Sequence, residues 1–136
     1  MGRDMEIERI SHDGQLMALV LRAERRPERT TFVTPPELTL QVGQVVYQAG
    51  QEIARHVHLP VERHIVGSME VLLVQEGRCA VDVYTDDRQL VATRELRRGD
   101  VLVAVAGGHG FRVLEDTVLL EVKQGPYPGV AEKERF

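Results

Sequence analysis

Five histidines stand at positions 12, 56, 58, 64 and 109 of the chain. His56 and His58 are two apart in a segment, Glu52–Leu59, that reads as a β-strand. At that spacing both imidazoles leave the same face, beside Ala54, while Arg55 and Val57 point the other way. A same-face imidazole pair is a natural bidentate chelate for a divalent metal. Alone it is a weak signal, because surface strands carry His-x-His by chance. Arg63 and His64 follow in a loop expected near the same end of the fold and are candidates for substrate binding or proton transfer; Tyr47, in the strand before Gly50, either lines the cavity or packs. Cys79 shares the apolar face of Val81 and Val83 and reads as an inert core thiol. The run Gly107-Gly108-His109-Gly110 lacks the Lys-Ser/Thr end and following helix of a phosphate loop. Its glycines suit a tight turn. His12 sits in a hairpin turn, and no Ser-His-Asp arrangement is evident.

These residues must be held by a fold of modest size. The 136 residues suit one domain. With 43% apolar and 28% charged residues, the composition excludes disordered and collagen-like chains. No apolar run approaches the ~20 residues of a membrane-spanning helix, and the N-terminus has no apolar core of a secretory signal. Its Met-Gly start is only half a myristoylation motif, since position 6 is Glu. With a single cysteine no internal disulfide can form, and a soluble cytoplasmic protein is the simplest expectation. The net charge is −4. The one dense basic run, Arg22, Arg25, Arg26 and Arg29, is interrupted by Glu24 and Glu28. Neither nucleic acid nor a membrane is an expected partner.

Turn signals punctuate the chain from His12-Asp13-Gly14 to Leu114-Glu115-Asp116, separating runs of five to nine residues rich in Val, Leu, Ile, Thr and Tyr. Such spacing predicts an antiparallel all-β sandwich or barrel with little helix. The expected strands are Glu6–Ile10, Leu16–Arg22, Leu38–Gln48, Glu52–Leu59, Glu70–Gln75, Cys79–Thr85, Leu90–Leu96, Val101–Val105, Gly110–Leu114 and Thr117–Lys123. Alternation in the last sets Val118, Leu120 and Val122 against Leu119, Glu121 and Lys123, with the first three read as the inner face. Ile53, Val57 and Leu119 then fall on outer faces, which argues for burial against a second subunit, so a homodimer is expected. Residues 1–37 read as N-terminal strands and a connecting segment, 38–123 as the central barrel and 124–136 as a polar tail.

Two wider patterns surround the histidines. Gly50 is followed by five residues and His56-Val57-His58, and Glu70 by six residues and Gly77. Downstream, Gly99-Asp100 precedes the apolar run VLVAV and then His109. Together these segments resemble the two consensus motifs of the cupin superfamily over about Leu38 to Lys123. The second motif is one residue short, with Val105 where proline is common and Arg112 in place of an asparagine. The resemblance implies a double-stranded β-helix, a jelly-roll barrel with one divalent metal inside. His56, His58 and His109 match the three histidine ligands. Two glutamates compete for the fourth place: Glu62 by the count forward from His58, Glu70 by the count back from Gly77. Glu70 is preferred, because it shares its strand parity with Leu72 and Val74. Three imidazoles and a carboxylate suit Fe(II), Mn(II), Ni(II) or Zn(II) without choosing among them. The resemblance allows a dioxygenase, isomerase, epimerase or lyase acting on a small polar molecule such as a carbohydrate or oxygenated acid. A non-catalytic cupin that binds a small ligand or metal as a sensor is the other reading.

Overall fold

A computed structural model of the chain describes residues 6–136, so Met1–Met5, with the Met-Gly start, lie outside the described residues. The fold is all-β and antiparallel: β1 (Glu8–His12), β2 (Gln15–Leu21), β3 (Thr31–Phe32), β4 (Gly43–Gln44), β5 (Glu70–Glu76), β6 (Arg78–Tyr84), β7 (Leu90–Arg97), β8 (Val101–Ala104), β9 (Gly108–Val113) and β10 (Val118–Lys123). A 3-10 turn follows at Gly129–Glu132. Among the described residues no helix is long and apolar enough to cross a membrane.

A five-stranded sheet in the order β1-β2-β8-β5-β10 faces a three-stranded sheet in the order β7-β6-β9. The β1–β2 hairpin turns on Asp13 and Gly14, both at positive φ, as a two-residue turn between right-twisted strands requires. β2 then hydrogen-bonds to β8, so the N-terminal hairpin extends the main sheet. Between the sheets lies a core that includes Val20, Val81, Leu96 and Leu102, all at 0% exposure. Each such side chain contributes roughly 1.5–3 kcal/mol relative to an exposed one. The other face of the large sheet is covered by the segment carrying β3 and β4. There Val33 packs with Leu19, Leu21, Met69 and Val103, assisted by Leu38, Leu40 and Val42.

Asp100, buried in the β7–β8 turn, ties three segments together. Its Oδ1 accepts from the Ala23 N–H at 2.8 Å, and its Oδ2 from the Arg97 N–H at 2.8 Å and Arg22 Nη1 at 3.1 Å. Arg22 also pairs with Glu8, and Arg25 donates to Gln44. These two arginines of the basic run therefore hold the body together.

Three strand assignments are corrected. The expected strand Leu38–Gln48 shrinks to Gly43–Gln44, where Val42–Gln44 pair with Thr31–Val33, a stretch to which the sequence assigned no strand. The expected strand Glu52–Leu59 is absent: residues 47–68 are exposed throughout and carry no regular structure. The faces of β10 are also reversed. Leu119, Glu121 and Lys123 register with Val74, Leu72 and Glu70 of β5, so they face the second sheet, and Leu119 packs on the core. Val118, Leu120 and Val122 point outward, about half exposed. Polar groups on the inward side of this strand inverted the hydrophobic alternation. The two sheets do not close into a barrel.

Candidate functional site

Glu70 opens β5 and is buried. Its parity with Leu72 and Val74, at 5% and 1% exposure, points its carboxylate between the sheets. His109 lies on β9, paired with Val83 of β6, whose alternation with Cys79 and Val81 puts all three on the inner face. The β8–β9 turn that delivers His109 depends on Gly107, at φ +72°. A Cβ there would collide with the Tyr84 carbonyl oxygen and the Met17 methyl, so only glycine lets this turn run so close to β6. The two side chains meet across the gap between the sheets, His109 Nε2 at 3.2 Å from Glu70 Oε2.

Glu121 on β10 is the third polar group here. The hydrogen bond from His109 holds the Glu70 carboxyl below its usual value, against the opposing pull of burial. Burial first, then the Glu70 charge and the hydrogen bond the two share, raise the Glu121 carboxyl above its usual value. The Glu70 carboxylate is thus flanked by the His109 imidazole and by a second carboxyl group. These groups line a cleft of about 690 Å³ with Leu72, Phe111 and Leu119, a volume that suits a small molecule. The C-terminal residues lie across it. Glu132 accepts from Lys123 Nζ at 2.6 Å, Glu134 pairs with Arg88 at 3.3 Å, and Phe136 packs edge-on against Tyr84.

The expected four-ligand set is not assembled. Glu70 and His109 come together, but His56 and His58 stand on the exposed segment 47–68 with rings 5.1 Å apart, and His56 Nδ1 bonds to the nearby Ala54 carbonyl. The cause is the missing strand that was to present them. Among the described residues no group of three or more His, Cys, Asp or Glu side chains could hold a metal ion. Glu62, Arg63, His64 and Tyr47 lie on the same exposed segment rather than at a barrel mouth. Arg112, three residues past His109, points outward and makes a two-pronged contact with Asp82 at 2.9 and 3.0 Å. Cys79 is buried, and burial pushes its thiol up, which suits an inert core residue.

Glu121 and the C-terminal residues escaped the sequence reading. A lone glutamate within the apolar run VLLEVK was the available signal for the first; nothing marked the second. Compared with models of protein families, with curated proteins and with solved structures, the chain matches none.

Proposed function

We propose that the chain is a metal-binding cupin, a double-stranded β-helix that binds a small polar molecule next to one divalent metal. The observation that carries this reading is the meeting of Glu70 and His109 at 3.2 Å. They come from two separate motif-like segments, 39 positions apart in the chain, and converge in a cleft that they both line. A carboxylate and an imidazole suit Fe, Mn, Ni or Zn, but two ligands do not make a cage, and as placed the residues do not hold an ion. The reading requires segment 47–68 to swing in and add His56 and His58. The cleft volume and its mix of acid, imidazole and apolar wall suit a carbohydrate or an oxygenated acid, either turned over or simply bound.

Elemental analysis of purified variants tests this. Wild type should carry about one divalent metal per chain. Replacing His56 and His58 together by Ala should abolish it, and Glu70→Gln should reduce it severely while leaving the fold intact, because an amide oxygen is a far poorer ligand than a carboxylate. Glu62→Gln should leave metal content nearly unchanged. Loss with Glu62→Gln and retention with Glu70→Gln would reverse the glutamate assignment, and full occupancy in the double-histidine variant would remove the site altogether.

A further inference from the structure

The two sheets end on the same side in unpaired strands. β10 is the last strand of the large sheet and β9 the last of the small one, and the cleft opens between them. The outer face of β10 is apolar, with Val118, Leu120 and Val122 about half exposed, and β9 ends in Val113 at 66% exposure. Unpaired edges recruit further strands unless something blunts them; no proline interrupts either strand, β9 runs without a bulge, and β10 shifts register only at its start, between Val118 and Leu119.

The chain also carries the kind of segment such edges accept. Residues 47–68 are all exposed, among them Ile53, Val57, Leu59 and Val66, and among the described residues no backbone hydrogen bond ties 52–67 to the body. The segment leaves from β4 and returns directly into β5, the strand that neighbours edge β10. Roughly 25 residues extended at ~3.3 Å each give an out-and-back reach of about 40 Å, comparable to the width of a domain this size. That is enough to cross to a second molecule.

We propose that residues 47–68 form an exchanged arm that pairs with the free edges of β9 and β10 in a second copy of the chain, in a two-fold dimer. Three observations select a second copy as the occupant. The arm is already opened away from its own body. A two-fold exchange covers both arms and both pairs of edges in one self-complementary contact. Twenty-two exposed arm residues per copy match the 20–30 residues a side of a stable interface. Parity agrees as well. An arm strand laid along β9 with Ala54, His56 and His58 inward turns both imidazoles to the face that carries His109 and Phe111. Resting on the metal reading above, the exchange would complete each Glu70–His109 pair with His56 and His58 from the other copy.

The full chain should be a dimer by light scattering, and amide hydrogen exchange should show 53–59, β9 and β10 protected together, with protection lost together on dilution to monomer. A monomer at micromolar concentration overturns the proposal, as does a dimer whose 53–59 amides exchange as freely as those of an unfolded chain. A mixing experiment then identifies the donor of the histidines. His56→Ala/His58→Ala and Glu70→Gln/His109→Ala chains should each bind no zinc(II). Co-refolded in equal amounts, they should regain about a quarter of the wild-type zinc per chain, because half the dimers are mixed and each mixed dimer holds one intact site. No regain from two folded, dimeric variants, with wild type zinc-loaded, would mean that each chain closes on itself. A dimer with protected arms but no zinc in wild type would retain the exchange and refute the metal reading, so the two failures are separable.

Discussion

Asp100 belongs to the Gly99-Asp100 pair that precedes β8, and its geometry assigns it to holding the fold rather than to ligation. Its side chain is 5% exposed and satisfies two backbone N–H groups, of Ala23 and Arg97, as well as one arm of Arg22. In Asp100→Ala the two part-buried N–H groups lose their acceptor. Each costs about 1–3 kcal/mol. Arg22 keeps Glu8, so losing its second carboxylate adds less. The sum is about 3–5 kcal/mol, which for a domain of this length corresponds to roughly 10–15 °C in Tm. Asp100→Asn should recover only part of this: the retained oxygen can serve Ala23, but the new NH₂ then faces the Arg97 N–H and Arg22, donor against donor. Thermal and urea unfolding of both variants measure the loss. Elemental analysis of the folded fraction, expected to match wild type, separates a structural role from a ligand role. A loss below about 1 kcal/mol for the alanine variant would refute the assignment.

Two further outcomes follow from local geometry. Gly77 joins β5 to β6 at φ +88°, and a Cβ there would strike the Asp116 carbonyl oxygen; Gly77→Ala should therefore cost at least about 2 kcal/mol in urea unfolding, and an unchanged midpoint would contradict this. The Arg112 guanidinium, and then the Thr93 hydroxyl, hold the Asp82 carboxyl below its usual value. A group depressed in the folded state stabilises at pH above its unfolded value, about 3.9 for Asp, and loses that contribution as pH falls through the folded value. Wild type should thus exceed Asp82→Asn in Tm at pH 7, the gap should narrow progressively below about pH 4, and a gap that held or widened on acidification would reverse the sign of the linkage.

Legibility from sequence tracked how far each residue's neighbours were set locally. β2, β5, β6, β7 and β8 emerge within a residue or two of the expected bounds, because both flanking turns and a dominant apolar face were present in the chain. Glu70 could be placed by parity alone, since Leu72 and Val74 are buried on the same side of one continuous strand. β10 failed on the same rule. Its inward face carries Glu121 and Lys123, which serve the cleft, so the more apolar set, Val118, Leu120 and Val122, was assigned to the core it does not occupy.

The His56–His58 segment failed for a different physical reason. Its alternation of Ala54, His56 and His58 with Ile53, Arg55 and Val57 is a sound strand pattern, but a strand exists only where another strand accepts its hydrogen bonds. Within one chain the acceptors at the β9 and β10 edges are left without it, and the segment stays in water with its apolar face uncovered. The outer positions read from sequence as a dimer contact divide accordingly. Leu119 turns inward to the core, whereas Ile53 and Val57, at 60% and 81% exposure, lie on the arm itself. The apolar surplus that suggested a second subunit is therefore carried by the same residues that bear the two missing histidines. Substituting Ile53 and Val57 by Ser keeps strand length and both imidazoles while removing most of the apolar face offered to a partner. The double variant should dissociate at concentrations where wild type is paired, and its metal content should fall with its dimer fraction; dissociation with metal retained would separate the two roles of the arm.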